Sequence, residues 1–119
     1  MKKLIVTYEA YDLVVVPFPF TDSTSSKRRP ALVLSSHHSF NSKVGHSVLA
    51  MVTSAKNSSW ALDCAINDLD EAGLSSPSIV RMKLFTIDVR LIISKIGHLS
   101  LADKSSVSGS LQKLLTHDI

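Results

Sequence analysis

Apolar positions in this chain gather into short, nearly uninterrupted runs, and each run ends at a group of Ser, Thr, Pro or charged residues. Runs of this length bounded by turn-forming residues predict short buried strands. "DLVVVPFPF" (12-20) is β-branched and aromatic and closes on two prolines, so it predicts a strand that leaves its sheet at Pro17 or becomes an edge there. "PALVLSS" (30-36) predicts a second strand with Pro30 at its first position, where a ladder donor can be spared. "SVLAMVTSA" (47-55) predicts a third, "SWALDCAI" (59-66) a short fourth, and "SPSIVRMKLFTI" (76-87) a fifth. "RLIISKIGHLS" (90-100) is either a sixth strand or a helical turn leading into one.

Between these runs lie the polar loops "TDSTSSKRR" and "HHSFNSKVGH" (37-46) and an acidic turn, "NDLDEAGL". The tail changes period. Ser100 is placed to cap a helix, Asp103 falls in its first turn, and Leu101, Val107, Leu111, Leu114 and Leu115 recur at helical spacing. Five or six closely spaced strands with one C-terminal helix predict a mainly β fold, a small barrel or strongly curled sheet.

At 119 residues the chain has the length of one compact domain, read as 1-119, with 45% hydrophobic and 19% charged residues. The basic start of "MKKLIVTYEA" is interrupted by Thr7, Tyr8 and Glu9 before any membrane-spanning length, so a cytoplasmic N-terminus is expected and no membrane partner. The single cysteine, Cys64, can form no internal disulfide, which agrees with a reducing compartment. The net charge of +3 permits a nucleic-acid partner without requiring one. Its placement says more: acids cluster in "DCAINDLDEAG", whereas "SKRRP" is basic.

The candidate chemistry is selective. The four glycines are isolated, so a phosphate-cradling Gly-rich loop is absent from the sequence. His37, His38, His46, His98 and His117 have no ligand spacing, and neither a metal nor another cofactor is expected. A loop histidine can still serve as acid or base in RNA cleavage, but adjacent His37 and His38 point opposite ways in extended chain, so only one could face a given cleft. Thr53 and Ser54 stand where an apolar strand meets a loop; hydroxyls there are common for packing reasons alone. Arg28, Arg29 and Arg81 can each be a solvated charge or a bidentate grip on phosphate.

In series, "DLVVVPFPFTDSTSSKRRPALVLSS", "VLAMVTSA" and "SIVRMKLFTIDVRLIISKIGHLS" resemble the MazF/PemK family of toxin endoribonucleases over residues 11 to 115. The resemblance rests on the Asp opening the first strand, "VPFPFTD", the Arg-Pro pair, a Thr ending the third strand, and "LFTID" followed by "KIGHLS". It implies an SH3-like barrel of about five strands with a C-terminal helix, usually a homodimer, opposed by a small acidic antitoxin. It also implies metal-independent cleavage of single-stranded messenger RNA by the RNA's own 2′-hydroxyl.

By the same resemblance Arg29 and Thr53 fall on the family's catalytic arginine and threonine. Arg28, Ser54, Arg81 and His37 are candidate substrate contacts. Two positions depart from the family pattern: Tyr11 stands where many relatives have Gly, and Lys83 where some have an acid. The second departure leans the site on Arg29, Thr53 and a loop histidine. The rival readings are a CcdB-like toxin that binds DNA gyrase and a small barrel that holds RNA or DNA without cutting it. With aromatics at 6%, a broad base-stacking platform is disfavoured.

Overall fold

A computed structural model describes residues 6–18 and 27–115. Its strands are β1 (Asp12–Phe18), β2 (Lys27–Val33), β3 (His46–Ser54), β4 (Cys64–Ala65), β5 (Ser78–Asp88) and β6 (Ser94–His98). They form one antiparallel sheet in the order β4-β5-β3-β2-β1-β6, curled into a half-barrel. Helices α1 (Ser42–Val44), α2 (Leu69–Ala72) and α3 (Leu101–Leu115) and two single helical turns make up the other regular structure among the described residues.

The apolar runs lack strict alternation because the sheet is buried on both faces. On one face Leu13, Leu32, Ala50, Val52 and Val80 meet Val107 of α3. On the other, Val14, Val16, Ala31, Val33, Leu49 and Ile87 form a second cluster with Ile92. A one-residue slip of any central strand would exchange these two sets, so packing fixes the register.

The two prolines of the central strands sit where no ladder bond is lost. Ile93 donates to the Val15 carbonyl at 2.8 Å, so Val15 turns its backbone groups toward β6 and not toward its partner Pro30. The ring nitrogen of Pro30 therefore faces the β3 side, where pairing begins only at Ala31. β2 thus starts at Lys27, three residues before the proline, rather than at it. Pro17 likewise lies beyond the β6 ladder, which spans Asp12 to Val15, so β1 becomes an edge there as expected.

Two loops differ from expectation. Residues 37-46 are not irregular: a single π-turn, His37–Asn41, runs into α1, with Ser36 accepting from the Ser39 N–H at 3.0 Å and Gly45 closing it at φ 75°. The turn is pinned by Asn41, which is fully buried and donates to the carbonyls of Tyr8 and Ser35. The fourth strand is only Cys64–Ala65, and residues 59–63 lie in the β3–β4 loop instead. Of residues 90-100, Val89–Leu91 make a 3-10 turn and Ser94–His98 make β6, so both alternatives hold in part.

The family-like acids have structural work. Asp12 accepts from the Glu9 N–H and pairs with Lys95 at 3.3 Å, and Asp88 accepts from Arg90 to cap the 3-10 turn. The Arg90 guanidinium beside it holds the Asp88 carboxyl below the ordinary carboxylate range. Tyr11 has φ 73°, the left-handed region in which glycine is unstrained, which is the physical reason a glycine suits this turn. In the tail, Ser100 accepts from the Asp103 N–H as the predicted cap. Asp103 itself is buried and accepts from the backbone of Asn67 and Asp68, fastening α3 to the turn before α2.

Candidate nuclease site

Arg29 and Thr53 are brought together by strand register. Ala31 pairs with Met51, so extending the β2–β3 alignment by two residues sets Arg29 across from Thr53 on one face. A solvent-open cleft of about 260 Å³ is lined by Arg29, Pro30, Thr53 and Ser54 together with Ser75, Ser76 and Ser78. A second cleft, of about 400 Å³, opens on the other side of Pro30 and includes Arg28 and Arg29. Arg29 is thus common to both, whereas Arg28 lines only the second.

Arg28 and Arg29 are exposed at the start of β2, following Lys27, and among the described residues neither has an ion-pair partner. Their guanidinium groups are available to an anion. The Thr53 hydroxyl oxygen accepts from the Asn57 amide at 2.6 Å, which leaves its own proton free to be donated outward. Sequence reasoning missed Asn57. Its only signal is its place four residues after the threonine in the loop that leaves β3. Ser54 accepts from the Lys56 N–H at 3.2 Å, so the strand end is held by both hydroxyls.

His37 and Arg81 stand apart from this pair. His37 lies in the π-turn past the far end of β2, bonded to Thr7, and is absent from the walls of both clefts. Among the described residues no imidazole or carboxylate lines either cleft. Arg81 is buried and three of its five N–H donors are engaged: Nε and Nη2 donate to the two carboxylate oxygens of Asp63 at 3.2 and 3.0 Å, and Nη2 also donates to the Ser58 carbonyl. The guanidinium lies 4.8 Å from the centre of the Trp60 ring. Hydrogen bonding to Arg81 lowers the pKa of Asp63 from 3.8 against the opposing effect of burial. Arg81 therefore organises the β3–β4 loop that carries Asn57.

Lys83 falls in a bulge. Ala50 pairs with Leu84 and Met51 with Arg81, so Met82 and Lys83 are the extra residues, and Lys83 is exposed. Among the described residues, no three His, Cys, Asp or Glu side chains converge as a metal site would need. No described helix is long and apolar enough to cross a membrane.

A curled antiparallel sheet closed by a C-terminal helix is an architecture shared with small bacterial toxins. The chain belongs to the PemK-like, MazF-like toxins of type II toxin-antitoxin systems, whose family profile matches residues 9–115. Solved structures carry the same fold. MazF from Deinococcus radiodurans superposes with a TM-score of 0.73 at 22% identity, covering 95% of this chain and 100% of that one. The Mycobacterium tuberculosis toxin MazF-mt6 gives 0.71 at 18% identity, over 91% and 99% of the two chains. A mycobacterial endoribonuclease in complex with its cognate antitoxin gives 0.73 at 12% identity, over 95% and 99%. No curated protein matches the chain in sequence.

Proposed function

We propose that this toxin is a metal-independent endoribonuclease that cuts single-stranded RNA, messenger RNA above all, at the cleft shared by Arg29 and Thr53. The observation that carries the reading is their meeting in one open cleft from adjacent strands. In the reaction the RNA's 2′-oxygen attacks the adjacent phosphorus as the bond to the 5′-oxygen breaks, leaving a 2′,3′-cyclic phosphate and a 5′-hydroxyl. DNA lacks that nucleophile and is not cut.

Negative charge builds on the non-bridging oxygens during attack. The Arg29 guanidinium, without an ion-pair partner among the described residues, offers a planar fork of donors to it, and Thr53 adds a hydroxyl whose oxygen is already held by Asn57. Arginine stays protonated at ordinary pH, so its role is charge stabilisation. With no acid or base side chain in the cleft wall among the described residues, water takes the proton of the 2′-hydroxyl and supplies one to the leaving 5′-oxygen.

The active unit is a cytoplasmic homodimer, held in check by a small acidic antitoxin whose extended segment lies along the basic rim at Lys27, Arg28 and Arg29. Support for such a partner comes from the similar MazE-MazF complex of Deinococcus radiodurans and the mycobacterial endoribonuclease bound to its antitoxin.

The test is cleavage of single-stranded RNA by purified, partner-free protein in EDTA, with the ends identified. Cyclic-phosphate ends are expected. Arg29→Ala should lose at least about a hundredfold in rate, the scale of one transition-state donor, at unchanged melting temperature because Arg29 is exposed. Intact RNA after incubation with the folded wild-type protein would overturn the reading.

A further inference from the structure

The β3–β4 loop, which leaves the strand end that carries Thr53, holds an exposed tryptophan, and nothing in the chemistry above uses it. Trp60 is 48% exposed, a high value for so large an apolar side chain. Its position is nevertheless fixed. Its backbone N–H donates to Asp63 at 2.8 Å, and the Arg81 guanidinium supports its ring at 4.8 Å. Arg81 is in turn anchored to Asp63, with each side chain only 11% exposed. Leu62, at φ 70°, lies in the left-handed region, a conformation that persists when its surroundings dictate it. The loop thus spends a buried ion pair and a strained residue on presenting one indole to solvent.

The placement relative to the cleft follows from register. Thr53 pairs with Ile79, and Arg81, which pairs with Met51, is two residues further along β5 on the same face. One strand spacing across and two residues along put the Arg81 backbone about 8 Å from that of Thr53. An extended RNA strand with its phosphate at Arg29 and Thr53 can therefore lay a neighbouring base on the indole.

We propose that Trp60 is a nucleobase-stacking residue of this toxin, gripping a base next to the cleaved phosphate, with the Arg81–Asp63 pair as its positioning support. The proposal rests on the nuclease reading for the identity of the ligand, single-stranded RNA. Stacking on one aromatic ring is tolerant of sequence, so Trp60 contributes binding and register along the strand more than choice of base. A cation behind the ring suits it for this use. A single stacking position also agrees with a chain that has few aromatic residues.

Trp60 is the only tryptophan of the chain, so its intrinsic fluorescence reports on this ring alone. The probe is a randomised single-stranded RNA pool carrying 2′-O-methyl groups throughout, which can bind but cannot be cut. Saturable quenching on titration is expected. With cleavable RNA, Trp60→Ala should raise KM about tenfold with kcat changed less than twofold, and Trp60→Phe should restore most of the difference.

Unchanged fluorescence in a protein that cleaves RNA would overturn the proposal while leaving the nuclease reading intact. So would an unchanged KM in Trp60→Ala, or a defect confined to binding a protein partner. Quenching by the pool in a protein that cuts no RNA would support the stacking role and sink the nuclease reading. The wild-type titration requires no variant, so a folding defect in Trp60→Ala cannot mask the answer.

Discussion

Replacing Asp63 by Ala removes the carboxylate that receives two bonds from Arg81 and one from the Trp60 N–H. The guanidinium keeps only the Ser58 carbonyl and is left 89% buried without a counter-charge. Breaking a buried pair from one side costs about 3–5 kcal/mol. The loop lies at the surface and can admit water once loosened, which argues for the lower end, about 3 kcal/mol. At about 4 °C per kcal/mol for a domain of this size, the melting temperature should fall by about 12 °C at pH 7. Circular dichroism melts of wild type and Asp63→Ala measure this directly. The pKa of Asp63 is lowered in the folded state, so its stabilisation is complete above the ordinary value of 3.8 and fades as pH falls through the lower folded value. The gap between the two proteins should therefore be constant from pH 7 to about 5 and narrow in acid. A gap under about 2 °C at pH 7, or one that widens on acidification, would refute the assignment of the Arg81–Asp63 pair as the loop's anchor.

Other expectations follow from single positions. Ser47 is fully buried, and among the described residues its hydroxyl has no hydrogen-bond partner. Ser47→Ala should leave the melting temperature unchanged or raise it by a few degrees, read in the same melts, because a desolvated hydroxyl without a partner is a net cost. At Gly97 an added Cβ would lie 2.4 Å from the carbonyl oxygen of Glu71, a backbone atom of α2 that cannot step aside. Gly97→Ala should cost about 3 kcal/mol or more in urea unfolding, at unchanged m-value. Asn57→Ala frees the Thr53 hydroxyl to turn, so kcat for RNA cleavage should fall severalfold while KM holds.

Much of the architecture was legible because β1, β2, β3 and β5 are long apolar runs whose burial does not depend on a distant partner's identity. α3 was legible from its period and from Ser100. The short β4 was not: the path of residues 59–63 is dictated by Arg81, eighteen positions away, and local alternation of Trp60, Leu62 and Cys64 misleads. The turn at 37–45 was also hidden, since its polar sequence shows no helical stripe and its order comes from Asn41 reaching back to Tyr8.

Local sequence was enough for the strand-rich class and for the family resemblance, and it is the resemblance that favours Arg29 over Arg28. Alternation along β2 separates the two arginines only in part, since both line the second cleft and Arg29 alone also lines the one with Thr53. Which residues share a cleft came from packing. Arg29 and Thr53 are separated along the chain by a whole loop and become neighbours through the Ala31–Met51 register, which the burial of both sheet faces enforces. Arg81 looks in sequence like another surface cation, and in the fold its Nε and Nη2 donate to Asp63 and Ser58 beside Trp60. A guanidinium's role depends on what surrounds it, and that is a property of packing and not of local sequence.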